Sequence, residues 1–308
     1  MIPTDPDKMD KESVTRNKER LVSLLRDAGS LLVAFSGGVD STFLLAVAHE
    51  TIGEGAVAAT AASEIYPKRE EEEAARFTQE RGIQHIVFPS EETSLSAFVS
   101  NDPDRCYHCK KSLCQKLIEI AQEKGIKHVA HAANVDDLED YRPGLRAAKE
   151  LGIMAPLMDA GLTKQDIRFL SKEMGLSQWD KPAMACLATR IPYGSPITAE
   201  KLKMIEEAEE FLLERGFRQC RVRHHGSVAR IEVDGSRLEM LQGDDLRNDV
   251  IRKFREIGFL HVALDLEGYV SGSMNRAIGK DWSFTIGDQG DPFDTCEIGI
   301  KRENIDDA

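Results

Sequence analysis

Two groups of residues carry the chemistry open to this sequence. The first is Ser36-Gly-Gly-Val-Asp-Ser-Thr42, set between an apolar run at 31–35 and a second one opening at Phe43. Paired glycines let the backbone turn tightly and approach a ligand, while the amides of a following helix start and the hydroxyls of Ser36, Ser41 and Thr42 point toward one spot. Such a nest holds phosphate or pyrophosphate. It lacks the Gly-Lys-[Ser/Thr] ending of a Walker A loop and the Gly-x-Gly-x-x-Gly of a dinucleotide fingerprint. The second group is made of thiols: Cys106-Tyr-His-Cys109, and Cys186 within Lys181-Pro-Ala-Met-Ala-Cys-Leu-Ala-Thr-Arg190. A Cys-x-x-Cys pair can ligate one centre together, and Cys186 brings the count to three. Three thiolates leave one iron of a [4Fe–4S] cube open for an extra ligand, whereas a structural zinc site wants four closed ligands. On spacing alone, zinc and a redox disulfide stay open. His108 reads as an outward-facing residue, and Cys114, Cys220 and Cys296 as buried or incidental thiols.

The elements that must position these groups follow from hydrophobic periodicity. Residues 9–28 carry apolar positions at helical spacing and stop at Gly29, so the pattern predicts a leading helix. Strand-like runs at 31–35, 56–62, 84–88 and 127–132 alternate with helix-like stretches at 67–81 and 110–124, the order of a parallel sheet with helices on both faces. Both thiol segments then adjoin the carboxyl ends of strands, where α/β proteins place ligands. The acidic run Glu70–Glu73 sits near the start of a helix opened by Pro67, and helix-dipole chemistry on a solvated face accounts for it. Thr163-x-x-Asp166 has capping-box spacing and marks another helix start. Asn134, Asp136 and Asp137 end a predicted strand, where a pocket or metal role and plain turn chemistry both fit.

Pro, Gly and Ser gather in IPYGSPIT near 190–198, which places a domain boundary there. Beyond it the pattern gives a charged helix (199–215), strands at 219–224 and 228–233, a helix (245–257) and a strand at 260–265. The expected organisation is therefore residues 1–195 as an α/β domain, 196–282 as a small α+β domain and 283–308 as a polar, acidic tail.

Composition narrows the function classes. The 308 residues are 41% hydrophobic and 6% aromatic, with apolar side chains spread along the chain, a globular balance large enough for about two cores. No apolar run approaches the roughly 20 residues of a bilayer span, and the N-terminus lacks the basic start and apolar centre of a signal peptide, so the expected location is the cytoplasm. A net charge of −13 weighs against a broad grip on nucleic acid, so tRNA is not an expected partner. In a reducing compartment the Cys106/Cys109 pair suits a metal or redox role better than a structural disulfide.

The SGGVDST string resembles the loop of the PP-loop ATP pyrophosphatases, which cleave ATP between its α and β phosphates and adenylate a substrate. The resemblance implies a HUP-like parallel sheet, Asp40 holding Mg²⁺ against pyrophosphate, and backbone contact with adenine near Ala61. It becomes narrower through DRCYHCKK, YRPGLRAAKELG, GLTKQDIRFLSKEMGL, WDKPAMACLATRIPYG, VRHHG, ARIEV and LDLEGYVSGSMN, which look like the LarE family of ATP-dependent sulfur transferases in nickel-pincer nucleotide synthesis. That likeness runs from the loop to about residue 275.

It implies adenylation of a carboxylate of pyridinium-3,5-biscarboxylic acid mononucleotide, then displacement of AMP by sulfur to leave a thiocarboxylate. A carboxylate is a poor electrophile until its oxygen joins a good leaving group, and a thiolate is a strong nucleophile near neutral pH. Family members take sulfur either from a single sacrificed cysteine, matching Cys186, or from a [4Fe–4S] cluster held by that cysteine and a Cys-x-x-Cys pair. Cys106 and Cys109 point to the cluster type, fed by an external sulfide donor. The match also implies Lys110 as a cation for the adenylate, Arg190 at the ATP phosphate, Arg221 and Arg223 on one strand face for the substrate phosphate, and a homo-oligomer. A PP-loop tRNA thiolase is the nearest rival.

Overall fold

Both faces of the large sheet are covered, which is why its strands are apolar at nearly every position. The computed structural model describes residues 10–90, 92–138 and 143–277; the expected tail at 283–308 and Cys296 lie outside them. Its elements are α1 (Lys11–Ala28), β1 (Leu31–Ala34), α2 (Val39–Ile52), β2 (Ala56–Ala62), α3 (Lys68–Glu80), β3 (His85–Pro89), α4 (Ser96–Val99), α5 (Arg105–Glu123), β4 (His128–Ala130), α6 (Pro143–Glu150), α7 (Pro156–Asp159), α8 (Lys164–Glu173), α9 (Ala199–Glu214), β5 (Cys220–His225), β6 (Val228–Val233), α10 (Asp244–Ile257) and β7 (His261–Leu264).

The first four strands form a parallel sheet in the order β3-β2-β1-β4, with Val33 of β1 opposite Ala58 on one side and Ala130 on the other. Leu31, Val33, Ala56 and Ala58 pack with Leu21 and Leu25 of α1, Phe43 and Leu44 of α2 and Ile167 of α8. Leu32, Val57 and Ala59 point the other way, onto Cys114 and Leu117 of α5 and Ala148 of α6. Each fully buried Leu or Phe here contributes about 1.5–3 kcal/mol. α2 is buried from Phe43 through Ala48, as a helix apolar all round must be, and this fixes the loop before it against the sheet.

The second sheet joins an antiparallel β5–β6 hairpin to a parallel β7. Ala208 and Leu212 of α9 and Val250 and Phe254 of α10 cover Val222 and Ile231. Both sheets belong to one compact unit, Met1–Ser271; the described part of the unit after it holds a short 3₁₀ turn at Ser273–Ala277. No described helix is long and apolar enough to cross a membrane.

One boundary differs in a way that matters to the site. α5 starts at Arg105, not near 110, so Cys106 and Cys109 lie on its first turn at i and i+3, on one face. The start has no side-chain cap; packing supplies what local sequence does not. Arg105 is buried, bonded to Asn101, and its guanidinium lies 4.5 Å over the Tyr193 ring.

Candidate active site

Gly37 and Gly38 turn the chain at the carboxyl end of β1. Gly37 has φ +67°, and a Cβ there would sit 3.4 Å from both the Ala74 Cβ and the Glu70 carbonyl oxygen on α3. Gly38 is the N-cap of α2, so the amides of Val39, Asp40 and Ser41 face outward without intrahelical acceptors. The Ser36 and Ser41 hydroxyls lie 3.1 Å apart, and Ser41 Oγ donates to the Gly38 carbonyl at 3.2 Å. A Gly37→Ala substitution is expected to cost about 1–2 kcal/mol of stability through its left-handed backbone. By moving the cradle it is also expected to lower ATP-dependent pyrophosphate release on the order of 10²-fold. Urea unfolding and a pyrophosphate assay check the two effects separately.

Asp40 follows the cradle. Its Oδ2 accepts from Lys164 Nζ at 2.6 Å, while its Oδ1 and the neighbouring Thr42 Oγ1 are buried without a partner. Burial raises the Asp40 pKa above the ordinary carboxylate value, against the pull of Lys164. Two unsatisfied hard oxygens beside an anion nest are a donor set suited to Mg²⁺ shared with a phosphate. Lys164 escapes sequence reasoning because only its place beside a capping box is local. The structure forms that box between Thr163 and Asp166, which sets the first turn of α8 so that the lysine reaches back to Asp40. Asp136 Oδ2 accepts from the Lys164 amide at 2.9 Å, and Asp137 Oδ2 from the Asn134 amide at 2.9 Å, so turn chemistry dominates this trio next to the pair.

The thiols meet beside the same sheet edge. The segment carrying Cys186 is tied at both ends: Lys181 Nζ donates to the Gly37 carbonyl at 3.3 Å, and the Leu187 amide to the Ile65 carbonyl, just after β2, at 2.8 Å. Cys186 and Cys109 pack with Tyr66 against one apolar cluster that includes Ile65, Phe98 and Leu187. Cys106, Cys109 and Cys186 are half-buried and free of disulfides. Burial first, and then the nearby Cys186, pushes the Cys106 and Cys109 thiols above their ordinary pKa, with Glu92 adding to the shift at Cys109. Among the described residues, no group of three or more His, Cys, Asp or Glu side chains is drawn together tightly enough for one metal ion. A single ion at about 2.3 Å from each sulfur demands such closeness; a cube of four irons bonds each thiolate at a separate corner and needs wider spacing. Among the described residues these thiols thus form no closed single-ion site. His108 is partly exposed and contacts Asp104, while Cys114 and Cys220 are buried away from this group; burial pushes the Cys220 thiol up to about 12.

Lys110, one residue past the pair, is half-buried, and its ammonium makes no hydrogen bond or ion pair with any described residue. It is positioned by close helix packing: a Cβ on Gly144 of α6 would lie 3.3 Å from Lys110 Cβ and 3.4 Å from the Cys106 carbonyl oxygen. Burial, and then Lys110, pushes the pKa of His131, beyond β4, down to about 4, so the imidazole is neutral near pH 7. Ala61 lies near the carboxyl end of β2, paired with Phe88 and one strand from the cradle.

Four of the charged groups named above are bonded within the protein. Arg190, read as an ATP-phosphate ligand, is 0% exposed. Its Nε and Nη2 bond both oxygens of Glu209 at 2.9 and 2.8 Å, and Nη1 donates to the carbonyls of Ala185 at 2.6 Å and Cys186 at 3.0 Å. Arg221 and Arg223 do share a strand face, but they are 4% and 5% exposed. Arg221 donates to the Ala183 carbonyl at 2.5 Å, and Arg223 bonds Glu232 and the Thr189 carbonyl at 3.1 Å. Together the three buried guanidiniums clamp the backbone of the Cys186 segment. The acidic run also differs from a solvated face. Glu70 is buried, and Glu70 and Glu73 bind Lys181 at 2.7 and 2.6 Å, fixing the same segment from α3.

A glycine-turned anion cradle at the end of β1, in a parallel sheet with helices on both faces, defines the PP-loop ATP pyrophosphatase fold. Consistent with it, the chain is 25% identical over 234 residues to a glutamine-hydrolysing GMP synthase component of Methanocaldococcus jannaschii, covering 68% of this chain and 70% of that one. It is 40% identical over 262 residues to an uncharacterised protein of Synechocystis, covering 85% and 98% of the two chains. With the pyridinium-3,5-bisthiocarboxylic acid mononucleotide synthase of Lactiplantibacillus plantarum it shares 35% identity over 271 residues, 87% of this chain and 97% of that one. No protein-family model matches the chain. The chain belongs to the LarE family of ATP-dependent sulfurtransferases.

Proposed function

We propose that this protein adenylates the carboxylates of pyridinium-3,5-biscarboxylic acid mononucleotide with ATP and Mg²⁺, and converts them to thiocarboxylates for nickel-pincer nucleotide synthesis. In this reading Cys106, Cys109 and Cys186 hold a [4Fe–4S] cluster. The observation that carries the proposal is the double tether of the Cys186 segment, to Gly37 of the cradle and to Ile65 beside the Cys-x-x-Cys pair. It supports the reading in which adenylation and the three thiols share one site.

The cradle amides and Ser36, Ser41 and Thr42 bind the ATP phosphates, Asp40 holds Mg²⁺, and the backbone near Ala61 meets adenine. Lys164 exchanges its bond to Asp40 for phosphate as the nucleotide enters. Lys110 neutralises the acyl adenylate and the departing AMP. When bound, a cluster with three protein ligands supplies an open iron able to carry exchangeable sulfide. The three arginines hold Cys186 in register with the cradle. Residues 1–195 act as the ATP pyrophosphatase domain and 196–282 as the small domain, whose Glu209, Arg221 and Arg223 complete the clamp around Arg190. The protein works in the cytoplasm as a homo-oligomer, with sulfide from an external donor.

Anaerobic purification should yield about four irons and a matching amount of sulfide per chain, with broad visible absorption. Stoichiometric zinc would refute the cluster. Sacrificial transfer is favoured by the lack of a tight ligand group among the described residues. It predicts one thiocarboxylate per chain and a mass loss of one H₂S at Cys186.

A further inference from the structure

The two edges of the small sheet differ. β5, at one edge, lies against the Cys186 segment through Arg221 and Arg223, whereas β7, at the other, has no strand beyond it among the described residues. The His261 amide donates to the Ser227 carbonyl at 3.1 Å and the Asp265 amide to the Ile231 carbonyl at 2.9 Å, so both residues turn their backbone toward β6. Alternation along the strand then points the amides and carbonyls of Val262 and Leu264 outward, as the open row of an edge. Proteins usually guard such a row with lysine, proline or a bulge. Leu260-His-Val-Ala-Leu-Asp-Leu266 has neither residue, and its pairing with β6 runs without a break. It is flanked instead by Leu260 and Leu266, which are 65% and 88% exposed. His261 and Ala263 are exposed on one face, while Val262 and Leu264 rest half-buried on the small core. Asp265 is fixed at the end of the strand: Oδ1 accepts from the Glu267 amide at 3.0 Å and Oδ2 lies 3.5 Å from Arg230 Nε.

This stretch is complementary to itself. Laid antiparallel on a second copy, with a two-fold axis at Ala263, Val262 of each chain faces Leu264 of the other. Those are the residues whose backbone groups point outward, so each pair exchanges both of its N–H···O bonds, as antiparallel pairing demands. The same register sets His261 against Asp265, an imidazole donor against a carboxylate, and Leu260 against Leu266, which covers both exposed leucines at each end. With Val262 on the axis instead, Asp265 faces Phe259 and Leu266 faces Gly258, and both matches are lost. We infer that the β7 edge is the contact for a second copy of this chain, joining two small sheets into one continuous sheet across an isologous two-fold interface. The inference deepens the homo-oligomer reading above and rests on it.

Oxidative cross-linking and sedimentation velocity of the full-length protein test it. In this register the two Ala263 residues form a non-hydrogen-bonded pair with Cα atoms about 4.5 Å apart, within reach of a disulfide. Two His261 residues are about 13 Å apart along the paired strands, beyond that reach. Ala263→Cys is therefore expected to give a reducible dimer, joined at residue 263 on peptide mass analysis, in about tenfold higher yield than wild type or His261→Cys, which share the native thiols. Ala263→Lys sets two like charges face to face on the axis at an exposed position. It is expected to lower the sedimenting mass by about half while keeping the far-UV circular dichroism of wild type. Cross-linking at 263 no greater than at 261, or an unchanged mass for folded Ala263→Lys, overturns the edge assignment and leaves the homo-oligomer reading standing. If the lysine variant loses its fold, the cross-link alone decides. A wild-type protein that sediments as a monomer overturns both.

Discussion

Cys186→Ala is expected to abolish thiocarboxylate formation, by on the order of 10³-fold or more, and to leave substrate-dependent pyrophosphate release intact. The separation follows from where the residue sits. In the proposed reaction adenylation draws on the glycine cradle, Asp40 and Lys164, none of which contacts the Cys186 side chain through any described hydrogen bond. The Cys186 segment reaches the cradle through Lys181, and that bond to Gly37 does not involve the thiol. Rapid-quench measurement of pyrophosphate and thiocarboxylate in one turnover reads both halves. A variant retaining full transfer would remove Cys186 from the mechanism. Companion variants Cys106→Ala and Cys109→Ala divide the two modes of sulfur delivery. A cluster loses iron and turnover together when either ligand goes, whereas sacrificial transfer keeps its single event per chain.

How much of this is legible depends on distance along the chain. The cradle is a contiguous string, and its glycines, hydroxyls and flanking apolar runs announce a strand, a turn and a helix; the structure places β2 at 56–62 and β6 at 228–233 with the boundaries that alternation predicts. The Thr163 and Asp166 box is equally local. Charged residues are harder. A lysine or arginine looks the same in sequence whether it awaits a phosphate or is spent on a buried carboxylate, and only the fold reveals which. Lys181 finds Glu70 and Glu73 across more than a hundred residues, so neither the acidic run nor the lysine betrays the pairing. The start of α5 escapes the pattern for a related reason. Arg105 anchors it through Asn101 and Tyr193, contacts that no helix-start signal encodes.

Arg190→Met is expected to destabilise the protein by about 3–5 kcal/mol, because it strands a buried carboxylate. Glu209 is 4% exposed, bonds Arg190 through both oxygens and accepts the Val222 amide at 2.9 Å. Burial alone would push its carboxyl up; Arg190, Arg221 and that amide outweigh the burial and hold it below the ordinary range. Since the folded pKa is the lower one, the stabilisation is complete above the unfolded value of about 4.5 and fades as pH falls through the folded pKa. Urea unfolding of wild type at pH 7 and at successively lower pH should show that loss, and Arg190→Met should lose less on acidification, because Glu209 no longer has its main partner. Arg190→Met/Glu209→Leu should recover part of the single-variant loss, as replacing a whole buried pair costs less than halving it. Recovery of stability should not restore sulfur transfer. The double variant still lacks the guanidinium that holds the Ala185 and Cys186 carbonyls, so the cysteine segment is free to leave the cradle even in a well-folded chain. Full transfer by the stabilised double variant would show that the clamp serves folding alone.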